Sequence, residues 1–246
     1  MQNPGLPKAP ESTLSREAAL CLTMLLGFIC NTIHAAVVIN SGPLNALIPD
    51  ETASGYASTL EVGSIGAPAS VSVSLNLSVP AGETGWLGDL YVYVQHGSDL
   101  AVLLNRVGRT AENPTGYDDS QNAALTFTDS AINGDIHQYR LTLAGNSAAP
   151  LAGPLTGVWS PDGRNRDPGL VLDTDARSAL LGGLALGDAG GSWRLFLADL
   201  SGGGQHQLDS WAIRFELASV PEPAGLGGFI AASLLGFATW RRIGRR

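Results

Sequence analysis

Ser70-Val71-Ser72-Val73-Ser74-Leu75-Asn76-Leu77-Ser78-Val79 alternates without a break between a small polar residue and a branched apolar one. That period of two belongs to a β-strand with one buried face and one wet face, because successive side chains point to opposite sides of a sheet. The same rhythm recurs outward from this stretch. Trp211, Ile213, Phe215 and Leu217 alternate with Ala212, Arg214 and Glu216, and Trp193, Leu195 and Leu197 are flanked by Arg194 and Ala198. Asp89 to Gln95 and Leu100 to Asn105 flank His96-Gly97-Ser98-Asp99, a hairpin with a short Gly-containing connection. Weaker strands are predicted at Thr59 to Val62, Ala124 to Thr128 and Ile136 to Leu143. Wet faces on the better strands favour antiparallel pairing over a parallel sheet covered by helices. No amphipathic helix longer than two turns stands out between the strands. Roughly eight strands in about 180 residues predict an all-β domain, an antiparallel β-sandwich or jelly roll. Two stretches, Val107 to Gln121 and Gly145 to Leu172, break the rhythm; loops this long in a compact domain are commonly functional.

Composition narrows the partners. Of 246 residues only 15% are charged, and 31 are glycine. Between Val37 and Val220 there are 19 acids and 8 bases, all eight of them arginine, a net charge of −11. A body of that sign repels phosphate backbones, which excludes a nucleic-acid partner. Both cysteines, Cys21 and Cys30, precede the first predicted strand. A chain cut after them has no thiol for a disulfide, a zinc thiolate site or nucleophilic catalysis.

The two ends read as addresses. Lys8 and Arg16 precede the 13-residue apolar run Ala18 to Cys30, followed by Asn-Thr-Ile-His-Ala-Ala. A basic stretch, a short apolar core and small residues at Ala35 and Ala36 make a secretory signal for the Sec translocon, cut near those alanines. An uncleaved N-terminal anchor is the alternative. At the other end Pro221, Glu222 and Pro223 precede the apolar run Ala224 to Trp240 and then Arg241, Arg242, Arg245 and Arg246. Seventeen helical residues cover roughly 25 Å, enough for a thin membrane span, and the four arginines hold that end in the cytoplasm. The chain therefore divides into a signal helix (1–36), a β-domain (37–218) and a C-terminal segment with a single transmembrane helix (219–246). The tripeptide, short span and arginine cluster, in that order, resemble the PEP-CTERM sorting signal of Gram-negative bacteria. The resemblance implies processing by an exosortase-type enzyme near Pro221–Pro223. It implies a transient single-pass stay in the inner membrane, then release to the cell surface or to an extracellular polysaccharide matrix.

The β-domain resembles the P-domain that follows the catalytic domain of subtilisin-like proprotein convertases. The similarity runs from about Ile48 to Leu217. It rests on Ile48-Pro49-Asp50, the strand Val71 to Val79, Gly88-Asp89-Leu90, Ser192-Trp193-Arg194-Leu195, Ala198-Asp199 and Ser210-Trp211. A version found in PEP-CTERM proteins is closer, through Gly88 to Gly97, Leu103 to Arg109, Trp159 to Arg164 and Leu195 to Leu200. The chain departs from that pattern at Leu184-Ala185-Leu186-Gly187 and Asp188-Ala189-Gly190-Gly191, where members carry Phe-Asn-Gly and Asp-Pro-Asn-Gly. P-domains hold no nucleophile, so the resemblance implies no catalytic residue. Some bind calcium, which would place Asp89, Asp199 and Asp209 as ligands. Read from the residues alone, the body's 14 aspartates against 5 glutamates suit either calcium oxygens or turn caps.

Nothing in the sequence assembles a reaction. His96, His137 and His206 have no metal-ligand spacing. Gly145-Asn146-Ser147-Ala148-Ala149 echoes a nucleophile elbow, but Pro150 and Pro154 follow where such an elbow must feed a helix. The expectation is a non-catalytic exported domain acting by binding or structure. Two alternatives stand beside it. One is a carbohydrate-binding module using Trp86, Tyr91, Tyr93 or Tyr117 as stacking platforms. The other is a protease-accessory or hydrolase domain with a site in the loop Trp159 to Asp173, around Arg164.

Overall fold

The computed structural model describes residues 35–218. Ten strands follow one another: β1 (Ala36–Asn40), β2 (Ala46–Leu47), β3 (Tyr56–Val62), β4 (Pro68–Ser78), β5 (Leu90–His96), β6 (Asp99–Asn105), β7 (Ala123–Phe127), β8 (Leu155–Trp159), β9 (Gly191–Asp199) and β10 (Gln207–Leu217). They form two sheets. The larger has the order β1-β10-β4-β7-β8 with β2 also on β10, and the smaller β3-β9-β5-β6. The all-β expectation holds, and the quoted alternation sits in β4, at the middle of the larger sheet. There Val71, Val73, Leu75 and Leu77 are buried. Opposite them in register lie Phe215, Ile213, Trp211 and Leu208, also buried.

The two sheets share one apolar core. Trp193 of β9 meets Phe215 of β10 edge to face, with ring centroids 5.2 Å apart. One hydrogen bond also crosses the core: Trp211 Nε1 donates to Ser58 Oγ of β3 at 2.9 Å. The indole N–H needs such a partner once it is buried.

Three expectations need correction. Ile136 to Leu143 is not a strand; it forms a 3₁₀ turn, Ile136–Gln138, followed by the helix α1, Tyr139–Ala144. The Asp135 carboxylate accepts the His137 N–H and starts the turn. Burial then falls on Ile136, His137, Tyr139 and Arg140, the three- and four-residue spacing of a helix. Gly145, with φ of 68°, supplies the left-handed residue that ends α1. Second, the stretch from Gly145 to Leu172 is no continuous loop, because it contains β8. Only Leu155 and Trp159, the ends of that strand, are buried, so alternation could not reveal it. Third, β8 runs parallel to β7 rather than antiparallel. The crossover holding α1 gives the chain the length to return in the same direction. The edge strand β1 was also unread, and it starts at Ala36, beside the predicted signal cut.

Among the described residues no helix is long and apolar enough to cross a membrane. The signal core, Pro221–Pro223, the apolar run 224–240 and the arginine cluster lie outside the described residues.

The cross-core bond yields a test. Ser58→Ala leaves the Trp211 N–H buried without an acceptor and costs about 1–3 kcal/mol. Trp211→Phe added to that background should cost less than it does alone. Urea unfolding of the single and double variants reads the coupling.

Candidate functional site

The loop Trp159 to Asp173 is held by charges that face inward. Asp162 and His137 are wholly buried, and His137 Nδ1 lies 2.7 Å from Asp162 Oδ2. The other ring nitrogen of His137 donates to the carbonyl oxygen of Arg109 at 2.9 Å. With both nitrogens engaged and the ring out of reach of solvent, this pair has no route for passing a proton to a substrate. Arg164 is buried too, donating to Asp162 Oδ1, to Asp135 Oδ2 at 2.8 Å and to the Asp173 carbonyl at 2.7 Å. Arg177 closes the set by donating to Ser160 Oγ at 2.6 Å. These residues staple the loop over β6, where the Asp162 and Gly163 N–H groups bond to Leu103 and Val102.

The aspartates assigned to calcium separate. Asp209 belongs to the larger sheet, where Ser78 Oγ and Gln207 Nε2 donate to it on the outer surface. Asp89 and Asp199 come together at the end of the smaller sheet, with Leu90 paired to Asp199. Their counter-charge is Arg106, which donates to Asp89 Oδ1 at 3.2 Å, to the Gly88 carbonyl at 3.0 Å and to the Thr115 carbonyl at 3.3 Å. Those are the oxygens a hard cation would need. Among the described residues no three His, Cys, Asp or Glu side chains gather as a ligand set. The three aspartates therefore do not fit a common calcium ion. Burial pushes Asp199 up to about 7, against the opposing Ser201 N–H and with help from the neighbouring charges of Asp89 and Asp50. His206 is fully buried with neither ring nitrogen partnered, and burial pulls it down to about 4.

The stretch Val107 to Gln121 is where the surface opens. It forms one wall of a cleft of about 730 Å³ bordered by Trp86, Glu112, Asp118, Arg140, Ser147 and Pro150. Trp86, just before β5, is 42% exposed. The wall is rigid for local reasons. Thr110 Oγ1 accepts the N–H groups of Glu112 and Asn113, and the Asn113 amide donates to the carbonyls of Gly108 and Gly116. Gly108 (φ 80°) lies against the Tyr117 ring so closely that an added Cβ would sit 2.2 Å from it. Beneath the cleft, Arg140 of α1 stacks over Tyr117, 4.6 Å from its centroid. Its Nε donates to Asp119 Oδ2 at 2.7 Å and its Nη2 to Asp118 Oδ1 at 2.5 Å. Asp119 is buried and also accepts from Tyr139 Oη and the Leu151 N–H, which ties the two long loops to α1. Asp118 by contrast exposes 62% of its side chain, and the Arg140 bond holds its carboxyl below the usual range.

The four predicted platforms thus differ. Trp86 is open beside the cleft. Tyr117 is buried under Arg140, as a support rather than a surface. Tyr91 and Tyr93 lie half-buried on the outer face of the smaller sheet, Tyr93 stacked on Phe196 at 5.0 Å. Sequence reading missed Arg140, Asp118 and Asp119; the adjacent aspartates after Tyr117, within a stretch already marked as long, were the available signal.

The chain matches no protein-family model and no curated protein. Among solved structures it is similar to a serine protease of Aeromonas sobria in complex with its chaperone, with 16% identity and a TM-score of 0.38. That match covers 82% of this chain and 30% of the other. The serine protease of Aeromonas sobria alone gives 14% identity and a TM-score of 0.37, over 76% of this chain and 27% of the other. The chain thus spans less than a third of the structures it matches.

Two outcomes follow from the buried charges. Arg164→Ala strands Asp162 and Asp135 and should destabilise the fold by about 3–5 kcal/mol in urea unfolding. Asp199 binds its proton more tightly folded than unfolded, where its value is 3.8; its contribution to stability is complete below that value and is lost as pH rises through about 7. His206 has the opposite sign, its contribution complete above 6.5 and lost as pH falls through about 4. Asp199→Asn should therefore stabilise the protein relative to the parent at pH 8, with the gain gone at pH 4, in urea titrations across that range.

Proposed function

We propose that this protein is an exported, non-catalytic β-domain delivered to the cell surface or extracellular matrix, where it acts by binding. The observation that carries this reading is the contrast between its polar groups. The imidazole–carboxylate pair is sealed, with its second nitrogen spent on a backbone carbonyl, whereas the cleft beside Trp86 presents an aromatic face and carboxylates to solvent. Binding needs such a surface; acid–base chemistry needs an accessible proton carrier. The alternative of a hydrolase site around Arg164 loses support, because that guanidinium is committed to three internal acceptors.

Export is supported by the order of the segments and by the way the domain ends. The Leu217 N–H bonds to the Ala35 carbonyl at 2.8 Å, and Ala36 pairs with Glu216. The first and last strands therefore lie side by side, and the expected N-terminal cut falls at the start of β1. Three residues, Ala218 to Val220, separate the end of β10 from Pro221.

Mass spectrometry of the termini tests the reading in a Gram-negative host with an active exosortase-type enzyme. The expected mature protein starts near Ala36 and ends near Pro221–Pro223, outside the inner membrane. A full-length chain that stays in the inner membrane would overturn export.

A further inference from the structure

Three features make the cleft beside Trp86 specific in its chemistry. The first is a flat apolar face: Trp86 is 42% exposed, while Trp159, Trp193 and Trp211 are buried. The second is a pair of acceptors. Asp118 gives one oxygen to Arg140 and Glu112 gives one to Thr110 Oγ1. Among the described residues the other oxygen of each carboxylate has no hydrogen bond, and both side chains are exposed. The third is rigidity. Asp118 is held by Arg140, Arg140 by Asp119 and the Tyr117 ring, and Asp119 by Tyr139 and the Leu151 N–H. A ligand arriving here finds the acceptors already in place, which limits the ordering cost of binding.

We propose that this cleft binds an uncharged saccharide, one sugar ring stacked on the Trp86 indole and its hydroxyls donating to the free oxygens of Asp118 and Glu112. The inference rests on the reading of the domain as a binding module and names the ligand class of the same site. A sugar ring carries an apolar C–H face and a rim of O–H donors. An indole beside acceptor-only carboxylates complements both. The charge balance excludes the anionic sugars: among the described residues the only cation at the cleft, Arg140, is already paired with Asp118 and Asp119, and the body carries a net −11. A peptide is the poorer fit. The wall offers no free backbone ladder, because the Thr110, Gly116 and Tyr117 N–H groups bond to Asn113 and Val107 within the loop itself.

The test uses the full chain in mild detergent, in a Trp240→Phe background so that the remaining indoles are the four of the domain, of which Trp86 alone is exposed. Neutral hexasaccharides of glucose, mannose and galactose, a hexagalacturonate and an octalysine peptide are each titrated, followed by calorimetry and by acrylamide quenching of fluorescence. A neutral hexasaccharide should bind and protect Trp86 from the quencher, and hexagalacturonate should not. Trp86→Ala should weaken the affinity by about tenfold or more, as loss of an aromatic anchor does. Asp118→Asn should weaken it about three- to tenfold, as loss of a charged acceptor does. Trp86→Phe should retain part of the binding, and thermal unfolding should stay near the parent's in both Trp86 variants, while Asp118→Asn, which weakens the bond to Arg140, should lower it without unfolding the domain at the assay temperature. The proposal fails if no neutral hexasaccharide binds, if hexagalacturonate or octalysine binds more tightly, or if binding survives Trp86→Ala and is lost instead in Tyr93→Ala. Correctly processed termini with no saccharide binding would sink this inference and leave the export reading intact.

Discussion

Strands β4 and β10 pair antiparallel along nearly their whole length, from Gln207 opposite Ser78 to Leu217 opposite Pro68. Every later feature is referred to that pairing. Because side chains alternate across it, the register that sets Phe215 against Val71 and Ile213 against Val73 commits one entire face to the core. A slip of one residue would bury Ser72, Ser74 and Arg214 instead. The other face becomes a sheet of small hydroxyls and amides, where Ser74 meets Thr126 at 3.1 Å and Asn76 donates to Ser210. β10 also carries β1 and β2 on its far side, so the last strand of the domain organises the first. The sheet cannot be finished until the chain has been made as far as Leu217.

The buried charges act differently from the apolar core. Moving an ion pair out of water costs several kcal/mol per ion, and the attraction recovered in a good geometry roughly offsets it. Such pairs add little net stability, yet they fix position strongly, since removing one partner leaves the other buried and alone. The domain uses them where it lacks apolar residues to anchor long connections. Arg164 and Asp162 secure the segment after β8, Arg106 and Asp89 the start of β5, and Arg140 and Asp119 the stretch before β7. The walls of the cleft are of this kind. Loops bonded in this way hold their shape with few side chains in the core, leaving Trp86 and Asp118 free to face outward.

Much of the sheet architecture was legible because burial on one face imposes a period of two. β4, β5, β9 and β10 each carry that signature, whereas β6, buried from Ala101 to Asn105 under the loop after β8, was marked by the hairpin turn before it. What escaped lacks it. β8 buries only its two ends, β1 is an edge strand of mixed exposure, and α1 is too short for its helical spacing to outweigh a run of Leu, Thr and Leu. The site was half legible. Trp86 could be named as an aromatic in polar surroundings, and its stretch of chain as too long for a plain turn. Arg140 could not be placed there, because its partners, Asp118 and Asp119, are about twenty residues earlier, and only the crossover through α1 brings them together. Tyr91, Tyr93 and Tyr117 show the converse: the same residue type reads alike in sequence, and the fold alone decides which ring is a surface.

The surplus of aspartate over glutamate finds its reason in the backbone. A one-carbon side chain brings its carboxylate within reach of nearby N–H groups, which the longer glutamate overshoots. Asp188 accepts from the N–H groups of Ile65, Gly66 and Gly190 and from Ser64 Oγ, fastening the turn before β9 to the β3–β4 connection. Asp129 does the same for Leu181 and Gly182, Asp175 for Leu172 and Asp167 for Gly169. An oxygen already receiving an N–H has a lone pair less to give a cation. The acidic character of the body thus comes largely from turn closure. The negative field of the body is to that extent a by-product of how the loops are tied.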